Sequence, residues 1–271
     1  MQSVRLDRFL SNAGVGTRTE VKKMIRAGVI SINGRAAGKP EEKIDPLADT
    51  VTVSGRPVSG KKPQWIMLHK PAGVITATKD AVQNTVVDLL PEEMKGLFPV
   101  GRLDKDTEGL LLLTDEGETA HGLLSPRHHV EKTYEALVEG EIGETQILGF
   151  AEGIEIGDPK KTAPSELEII RSGLFRELIS KEDPLALRCG ALSIDIPQSV
   201  CVSHVRVTVT EGRYHQIKRM FAAVGSSVLY LKRTAMGGLF LDPELSPGEY
   251  RALALEEIEL LKRGTFSTDR A

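Results

Sequence analysis

Three acidic residues at alternate positions precede a glycine and four consecutive leucines near the middle of the chain. Asp104, Asp106 and Glu108 occur in the stretch GRLDKDTEGLLLLTDEGE, which covers residues 101–118. Ionised carboxylates can bind a cation, attack an electrophilic carbon or solvate a turn. The stretch therefore permits three interpretations: a calcium loop, a charged turn before a core strand, or the mouth of an active site.

The calcium interpretation rests on a partial match to the EF-hand loop, which sets its oxygen ligands at fixed positions over about twelve residues. Asp104, Asp106, Glu108 and Asp115 fall on ligand positions, and Gly109 falls on the turn. A glutamate at the fifth position is too long for a tight chelate, and the ninth position is a leucine. An EF-hand also needs a helix on each side, whereas the leucines predict a strand. We therefore expect no calcium site.

The rest of the sequence contains no motif for a cofactor or a metal ion. Neither G-x-x-x-x-G-K-[ST] nor G-x-G-x-x-G, the two common phosphate loops, is present. The adjacent histidines His128 and His129 have no further ligands at the spacing of a zinc site. Cys189 and Cys201 are expected to be free thiols in a reducing compartment. We expect an active site without metal or cofactor.

The acidic stretch must be positioned by the strands and helices around it. Their pattern in the sequence predicts an α+β body with a mixed, mainly antiparallel sheet and flanking helices. The run GLLLLT is too short and continuous for an amphipathic helix, so it predicts a strand buried on both faces. QWIMLHKPAGVITAT predicts strand, turn and strand, and TVVDLLP predicts a short helix begun by Thr85. Further strands are predicted in KTYEALVEGEI and in SHVRVTVTEGRYHQIKRMFAAVG, the second followed by a helix. A closing strand pair is predicted in GGLFLDPELSPGEYRAL, and a last helix in ALEEIELLKRG.

Two segments of this body do not follow a regular pattern. Residues 171–200 predict either an extra helix plus a hairpin or a mobile insertion. Residues 265–271 predict a disordered tail. The expected body therefore covers residues 65–264, with an insertion at about 171–200.

The first 55 residues predict a separate small domain built on a helical hairpin. Apolar residues recur at helical spacing in VRLDRFLSN and in EVKKMIRAG, and Thr17 followed by Glu20 is the capping-box pattern that begins a helix. Asn33-Gly34 between alternating residues predicts a β-hairpin. Residues 56–64 are rich in Gly, Pro, Ser and Lys, so we expect a linker there.

Charge is distributed unevenly, although the whole chain carries only −3. Residues 1–40 hold eight Lys and Arg and two acids, a net charge of +6, so the remainder carries −9. Arg18, Lys22, Lys23 and Arg26 form a cationic stripe on the second predicted helix. A basic module on an acidic body favours contact with the phosphates of a nucleic acid.

Membrane and export signals are missing from the sequence. No apolar run approaches the roughly 20 residues that span a bilayer, and the first residues lack the apolar core of a signal peptide. We therefore expect a cytoplasmic protein without membrane contact. A monomer is the default expectation.

The N-terminal arrangement resembles the S4 RNA-binding domain, which uses such a helix pair to contact folded RNA. The remainder resembles the pseudouridine synthases. GRLD followed by TEGLLLLT is similar to their catalytic motif, HKPAG to their first motif, and SPRHHVEKTYEA and EGRYHQIKRMFAAVG to later motifs. GGLFLDPELSPGEYRAL is similar to their closing strand pair. The five matches follow the family's order, and residues 171–200 depart from its pattern.

This resemblance implies isomerisation of a uridine in RNA: the N–C glycosidic bond breaks, the base turns and is rejoined through carbon, and no cofactor is needed. Asp104 would be the catalytic carboxylate in a pocket that excludes water. Lys218, where many relatives carry Arg, would be the cation that keeps it ionised. Tyr134 would support the flipped-out uracil. Covalent and glycal-type routes both stay open.

The resemblance also implies RNA contacts from basic side chains, although Lys70 could equally belong to a structural turn at a strand end. In the body these contacts are Arg102, Lys70, Arg127, His128, Lys132, Arg213, His215 and Arg219. In the N-terminal domain they are Arg5, Arg18, Lys22, Lys23 and Arg26.

RHHVEKTY and RYHQIKRMF most resemble RsuA-type enzymes, which act on 16S RNA of the small ribosomal subunit. The expected partner is therefore ribosomal RNA or a small-subunit assembly intermediate. Two alternatives stay open: a synthase for large-subunit (23S) RNA, and a non-catalytic S4-type RNA-binding or ribosome assembly factor. The joint presence of Asp104, Tyr134 and Lys218 favours an enzyme.

Overall fold

A computed structural model describes residues 3–46, 48–58, 63–178 and 183–266. The chain divides into two compact units, Met1–Pro63 and Gln64–Ala271. In the described ranges no helix combines the length and apolar character needed to cross a membrane.

The first unit contains two short helices and six short strands within its described residues. Helix α1 spans Leu6–Asn12 and helix α2 spans Arg18–Arg26. The strands are β1 (Val4–Arg5), β2 (Ile30–Ile32), β3 (Arg35–Ala36), β4 (Lys43–Ile44), β5 (Val51–Val53) and β6 (Arg56–Pro57). Strands β3, β2, β5 and β6 form one antiparallel sheet in that order, and β1 pairs with β4.

Local sequence signals account for the turns of this unit. The Glu20 amide donates to the Thr17 hydroxyl and the Thr17 amide donates to the Glu20 carboxylate, so the predicted capping box is confirmed. Asn33 and Gly34 have φ values of 51° and 79° and join β2 to β3. The predicted hairpin is therefore confirmed as well.

The expected start of the linker is wrong. Arg56 and Pro57 form β6 and pair with β5. Ser54 and Gly55 have φ values of 48° and 77°, so they form the hairpin turn that joins β5 to β6, and the expected linker does not begin at Arg56. Residues 59–62 of the expected linker lie outside the described residues.

An apolar core holds the helices of the first unit on its sheets. Leu6, Leu10 and Val21 are 0% exposed and pack with the buried side chains of β2, β4 and β5. The solvent-facing side of α2 carries four exposed cations: Arg18, Lys22, Lys23 and Arg26.

The described residues of the second unit contain nine strands and six helices. The strands are β7 (Trp65–Lys70), β8 (Phe98–Pro99), β9 (Glu108–Thr114), β10 (Lys132–Glu139), β11 (Glu166–Leu174), β12 (Cys201–Val209), β13 (Val228–Met236), β14 (Leu239–Phe240) and β15 (Tyr250–Ala252). The helices are α3 (Gly117–Leu124), α4 (Glu144–Glu152), α5 (Phe175–Leu178), α6 (Pro184–Ala191), α7 (Gln216–Ala223) and α8 (Leu255–Phe266). Short 3-10 turns occur at Glu92–Met94 and Pro126–His128.

The nine strands form one sheet in the order β11-β12-β10-β13-β9-β7-β15, with β8 paired to β9 and β14 paired to β13. All neighbouring strands are antiparallel except β9 and β13, which run parallel and pair only through Glu108–Lys232 and Gly109–Arg233. The predicted α+β fold with a mixed, mainly antiparallel sheet is confirmed. The brief parallel contact leaves a cleft between the chain that enters β9 and the first half of β13.

Gly109 is required where β9 meets β13. Its φ is 107°, and a Cβ there would lie 2.2 Å from the carbonyl oxygen of Arg233. A larger residue would therefore force the two strands apart.

Helices cover both faces of this sheet. Ala136 and Val138 of β10 face α4 and α7, whereas Leu137 faces the region of α5 and α6. Leu110 and Leu112 of β9 pack under α3 and α8. All seven residues of β9 are buried, so the predicted strand with two buried faces is confirmed.

Two short elements differ from their predictions. Instead of a strand after the turn that follows β7, Ile75 makes a single bridge to Thr85. TVVDLLP forms consecutive turns, not a helix. Thr85 donates to Asp88 as a helix cap would, but Pro91 stops the chain from continuing as a helix. The loop that these residues form lies beside the entry to β9.

The irregular segment at 171–200 contains the end of β11 followed by α5 and α6. In the residues that the structure describes there, no additional hairpin forms, so that part of the prediction is wrong. Residues 179–182 within this segment lie outside the described residues, as do residues 267–271 of the expected disordered tail.

Candidate active site

Asp104 lies in the loop that enters β9. The Thr76 hydroxyl donates to the Leu103 carbonyl oxygen at 2.8 Å and accepts from the Leu103 amide at 3.1 Å. The Gly73 amide donates to the Lys105 carbonyl oxygen at 2.8 Å. These bonds fix the backbone on both sides of Asp104, so its carboxylate is presented from a braced loop.

Lys70, the last residue of β7, ties the same loop to the sheet. Its side chain is 0% exposed, and its Nζ donates to the carbonyl oxygens of Pro71 (2.9 Å), Lys105 (3.3 Å) and Thr107 (2.9 Å). Burial lowers the pKa of Lys70 to about 8, against the opposing effect of nearby carboxylates. The expected RNA contact of Lys70 is wrong, because its ammonium group is enclosed and bound to backbone oxygens.

The Asp104 carboxylate faces two basic side chains at the start of α7. Its Oδ2 lies 3.6 Å from Nζ of Lys218, and its Oδ1 lies 3.5 Å from Nε2 of His215. The pairing of Asp104 with Lys218 that the resemblance implied is therefore present. The Asp104 side chain is 26% exposed in the free protein, so the exclusion of water from this carboxylate stays a prediction.

Asp106 is the partner that sequence reasoning missed. Lys218 donates to both of its carboxylate oxygens, at 2.5 and 2.7 Å. Partial burial acts to raise the pKa of Asp106, but the hydrogen bonds and charge of Lys218 outweigh it, so this pKa lies below its ordinary value. Lys218 thus makes its tight contacts to Asp106 and its longer one to Asp104. The alternation of Asp104 and Asp106 was the signal that could have indicated a shared cation.

His215 and Tyr214 form a stacked pair immediately before α7. His215 has a φ of 47°, in the left-handed region. Its ring lies 3.8 Å from that of Tyr214, with 20° between the ring planes. The turn directs His215 toward Asp104, and it leaves Tyr214 74% exposed.

Arg213 and Arg219 brace the start of α7 against a loop that follows α4. Arg213 donates to the carbonyl oxygens of Lys160 and Lys161, both at 2.7 Å. Arg219 donates to Asp158 at 2.5 Å. Both guanidinium groups therefore position the helix that carries Lys218, and a direct RNA contact from either stays a prediction.

Asp104, Asp106, His215 and Lys218 open into one pocket of about 570 Å³. This volume lies within the range of small-ligand sites. The other side of the pocket is largely apolar and combines β13 with the chain after α6: Leu192, Ile194, Val228, Leu229, Tyr230 and Leu231. The pocket therefore has a charged side and an apolar side.

Tyr134 on β10 is not among the described residues that line this pocket. Its half-buried side chain packs against the cluster under α7 and against the cluster that contains Leu103, the residue before Asp104. Tyr134 thus lies on the sheet face that carries α7, and it packs against the apolar cluster that supports the catalytic loop. Its expected contact with a base stays a prediction.

The remaining predicted contacts of the second unit divide by exposure. Arg102 and Arg127 are exposed, and Nδ1 of the half-buried His128 lies 2.9 Å from the Gly122 carbonyl oxygen. Lys132 is only 7% exposed, and its Nζ donates to the Val130 carbonyl oxygen at 2.6 Å. Burial lowers the pKa of Lys132 to about 8. The expected RNA contact of Lys132 is therefore wrong.

In the first unit, Arg5 is paired within the protein, since its guanidinium bonds Asp7 at 2.8 Å and Glu41 at 3.3 Å. The four cations of α2 are exposed, as Arg5 is. Contact with RNA stays a prediction for all five residues.

A buried polar cluster beneath the catalytic loop was also missed. Glu108 is 0% exposed, and its carboxylate accepts two hydrogen bonds from the Arg188 guanidinium, one of them at 2.6 Å. It also accepts from the Tyr230 hydroxyl at 3.0 Å and the Ala72 amide at 3.1 Å. Burial acts to raise the pKa of Glu108, but Arg188 outweighs it and the pKa lies below its ordinary value. No local signal connects residues 108 and 188.

The described part of the chain contains neither a cluster of metal ligands nor a disulfide. Among the residues that the structure describes, no group of three or more His, Cys, Asp or Glu could hold a metal ion. Cys189 and Cys201 are free thiols. The acids at 104–108 contact cations of the protein, and the element after them is a strand, unlike an EF-hand.

The sequence profile of RNA pseudouridylate synthases matches residues 64–223, a range that contains the whole charged side of the pocket. The chain belongs to the RNA pseudouridine synthase family. The S4 domain profile matches residues 4–51 of this synthase. Its predicted isomerase activity on RNA is thereby confirmed, and the alternative of a non-catalytic factor is not supported.

Curated relatives align with nearly the whole synthase. It is 45% identical over 260 residues to an uncharacterized RNA pseudouridine synthase of Bacillus subtilis, YtzG, covering 95% of this chain and 98% of the relative. It is 36% identical over 258 residues to ribosomal small subunit pseudouridine synthase A of Escherichia coli, covering 94% and 98%. A crystal structure of a pseudouridylate synthase superimposes with a TM-score of 0.62 at 35% identity, covering 95% and 99%.

Proposed function

We propose that the synthase isomerises a uridine of 16S RNA in the small ribosomal subunit, with Asp104 as the catalytic carboxylate. The observation that carries the chemistry is the Asp104 carboxylate between Lys218 and His215 in a pocket large enough for a nucleoside. The target is supported by full-length similarity to small-subunit synthases, at 38% identity for the Yersinia pestis enzyme. The partner would be ribosomal RNA or a small-subunit assembly intermediate.

Asp104 acts on a uridine that has been flipped into the pocket. As a nucleophile, or as a negative charge beside the sugar carbon, it promotes cleavage of the bond from that carbon to the base nitrogen. The base then turns, its C5 bonds the same sugar carbon and loses a proton, and its N1 gains one. The reaction is balanced without a cofactor.

Lys218 is shared unequally between the two aspartates of the catalytic loop. At 3.6 Å, Lys218 lowers the electrostatic cost of a carboxylate without a tight hydrogen bond to Asp104. Its short bonds hold Asp106 instead. Asp104 therefore keeps accessible oxygen lone pairs, and entry of the nucleoside would remove the water that its 26% exposure permits.

Tyr134 would support the base from the α7 face, and the exposed cations of α2 would hold the surrounding RNA by its phosphates. Arg102, Arg127 and His215 are further candidates for contacts to the RNA backbone. This division assigns chemistry to the second unit and capture to the first.

The target is tested by mapping pseudouridine in the ribosomal RNA of cells with and without this protein. We expect one small-subunit site to lose its pseudouridine and to regain it when the purified protein is added to small-subunit RNA or an assembly particle. Loss at large-subunit sites alone would overturn the proposed target.

The catalytic assignment is tested with Asp104→Asn, using Asp106→Asn as its matched control. The amide is nearly isosteric but cannot act as a carboxylate, so Asp104→Asn should lose about a thousandfold or more in product formation. RNA affinity should stay within about threefold. Asp106→Asn removes only the tether of Lys218 and should slow turnover by about tenfold. Full turnover by Asp104→Asn would refute the assignment.

A further inference from the structure

The chain that follows α6 supplies part of the active-site pocket. Leu192 and Ile194 line it together with Asp104 and Lys218 of the charged side. Between them Ser193 has a φ of 54°, so the chain turns sharply where the helix ends. Both apolar side chains are half-buried, which leaves part of each available to a molecule in the pocket. This segment belongs to residues 171–200, where the sequence departs from the family pattern.

The segment is anchored to the sheet rather than loosely attached. Asp183 accepts a hydrogen bond from the Leu185 amide at 2.8 Å and begins α6, with Pro184 as its first residue. Cys189 is 2% exposed and packs with Tyr230 and Leu137 on the sheet face opposite α7. The pocket is thus bounded by α7 from one face and by the end of α6 from the other.

Arg188 fastens this helix to the catalytic strand. Its guanidinium makes two hydrogen bonds to Glu108, the first residue of β9. Glu108 is fully buried and four residues from Asp104, so the position of α6 is linked directly to the strand that carries the catalytic loop. A buried, doubly bonded Arg–carboxylate pair has restrictive geometry, and it fixes where Leu192 and Ile194 lie.

We propose that Leu192 and Ile194 form an apolar wall that holds the target uracil against the charged side of the pocket, and that Arg188 is the positioning residue of this wall. The proposal rests on the proposed function, because it needs a flipped nucleotide at Asp104. A uracil ring has two apolar faces, and an apolar surface favours it over the water that it displaces. Among the described residues, the pocket lining offers no other apolar side chains outside β13 and Ala72.

The wall is tested by a thermodynamic cycle on RNA binding. The full chain with Asp104→Asn, which prevents turnover, is compared with the same chain carrying Leu192→Ala and Ile194→Ala. Each binds two RNAs: one with uridine at the modified site, and one with an abasic nucleotide there. We expect the alanine pair to weaken binding of the uridine RNA by about 10- to 30-fold, since apolar pocket contacts carry effects of this size.

Binding of the abasic RNA should change by less than about twofold, because without a base there is nothing for the wall to contact. Leu187→Ala is the matched control: Leu187 lies on the same helix, is 60% exposed and is not part of the pocket lining. It should leave both affinities unchanged. Equal weakening of both RNAs by the alanine pair, or weakening of neither, would overturn the proposal.

Arg188 is tested in the same cycle by Arg188→Met and by the conservative Arg188→Lys. The Met variant should reproduce the loss that depends on the base, and the Lys variant should recover part of it by keeping a charge beside Glu108. A Met variant that binds both RNAs normally would remove Arg188 from the proposal.

The RNA for this cycle carries the site identified by the pseudouridine map, whichever ribosomal subunit it comes from. If the map gives a large-subunit site, the proposed target is overturned, but the cycle still tests the wall on that RNA. If the map gives a small-subunit site and the alanine pair weakens neither RNA or both equally, only the wall is overturned.

Discussion

Two groups of basic side chains, one in each unit of this protein, have opposite environments. In the first unit, α2 exposes Arg18, Lys22, Lys23 and Arg26 to solvent. In the second, Lys70, Lys132, Arg188, Arg213 and Arg219 direct their donors at carbonyl oxygens and carboxylates of the protein. Residues of one chemical type thus face solvent on α2 and act as internal braces in the second group, and the proposed phosphate contacts concern α2 alone.

The difference shows that a cation's role depends on what surrounds it more than on its presence in a motif. Lys70 and Lys132 both belong to motifs that resemble the family's, yet both are buried and have pKa values lowered to about 8 by burial. An exposed cation of α2 keeps its hydration and can exchange it for phosphate contacts. Substitutions in the two groups should therefore affect different measurements.

The largest effect is expected for Lys70→Met. This change keeps the volume but leaves three carbonyl oxygens around the catalytic loop without their donor, which should lower the free energy of unfolding by about 2 to 4 kcal/mol. Asp104 should be displaced as the loop relaxes, so kcat should fall at least about tenfold. Chemical denaturation and single-turnover assays of the full chain measure both quantities.

Lys79→Met is the matched control for Lys70→Met, because Lys79 is an exposed lysine of the same unit. It should change the free energy of unfolding by less than about 0.5 kcal/mol. If Lys70→Met were as stable and active as the wild type, Lys70 would not be a brace and the contrast between the units would fail.

A smaller effect is expected when Arg18, Lys22, Lys23 and Arg26 are changed together to Gln. Affinity for the substrate RNA should fall by about 10- to 100-fold at physiological salt, and the slope of log K against log salt should decrease in magnitude by about 3. Single-turnover rates at saturating RNA should stay near those of the wild type. Unfolding should be nearly unchanged, since Gln is a good helix former. An unaltered salt slope would show that α2 does not contact phosphate.

The smallest effect is the pH dependence that Lys70 adds to stability. Its folded pKa of about 8 lies below the ordinary value of 10.5, so between these values the unfolded chain holds more protons and the free energy of unfolding rises with pH. From pH 7.5 to 9.5 the wild type should gain about 1 to 2 kcal/mol relative to Lys70→Met. Denaturation curves of both proteins at matched pH values give this difference. A difference that is flat or falls with pH would mean that Lys70 is not desolvated.

Sequence-based prediction worked best where a few neighbouring residues decide the structure. The capping box at Thr17 and Glu20, the Asn33-Gly34 hairpin and the doubly buried strand of leucines each depend on contacts within one short segment or on simple periodicity. The Asp104–Lys218 pairing, which spans 114 positions, was available only through resemblance to a family. Local patterns carry no information about which distant segments meet.

The missed features all depend on tertiary packing. Arg188 meets Glu108 across 80 positions, and neither residue lies in a pattern that distinguishes a buried pair from solvated charges. The sequence leaves Lys70 open between an RNA contact and a structural turn, because it does not reveal that β7 ends beneath the loop around Asp104. The hairpin at Ser54 and Gly55 was missed for a different reason, since a turn and a linker use the same residue types.

The glycine at position 109 has a consequence for how this enzyme can change over evolution. Because β9 and β13 are paired only through Glu108–Lys232 and Gly109–Arg233, the lack of a side chain at Gly109 sets the spacing between these two strands. We expect this position to tolerate no other residue, whatever changes occur in the surrounding loops. A methyl group at position 109 would widen the cleft between the loop that enters β9 and the first half of β13. It would do so for every substrate, without altering any group that takes part in the reaction.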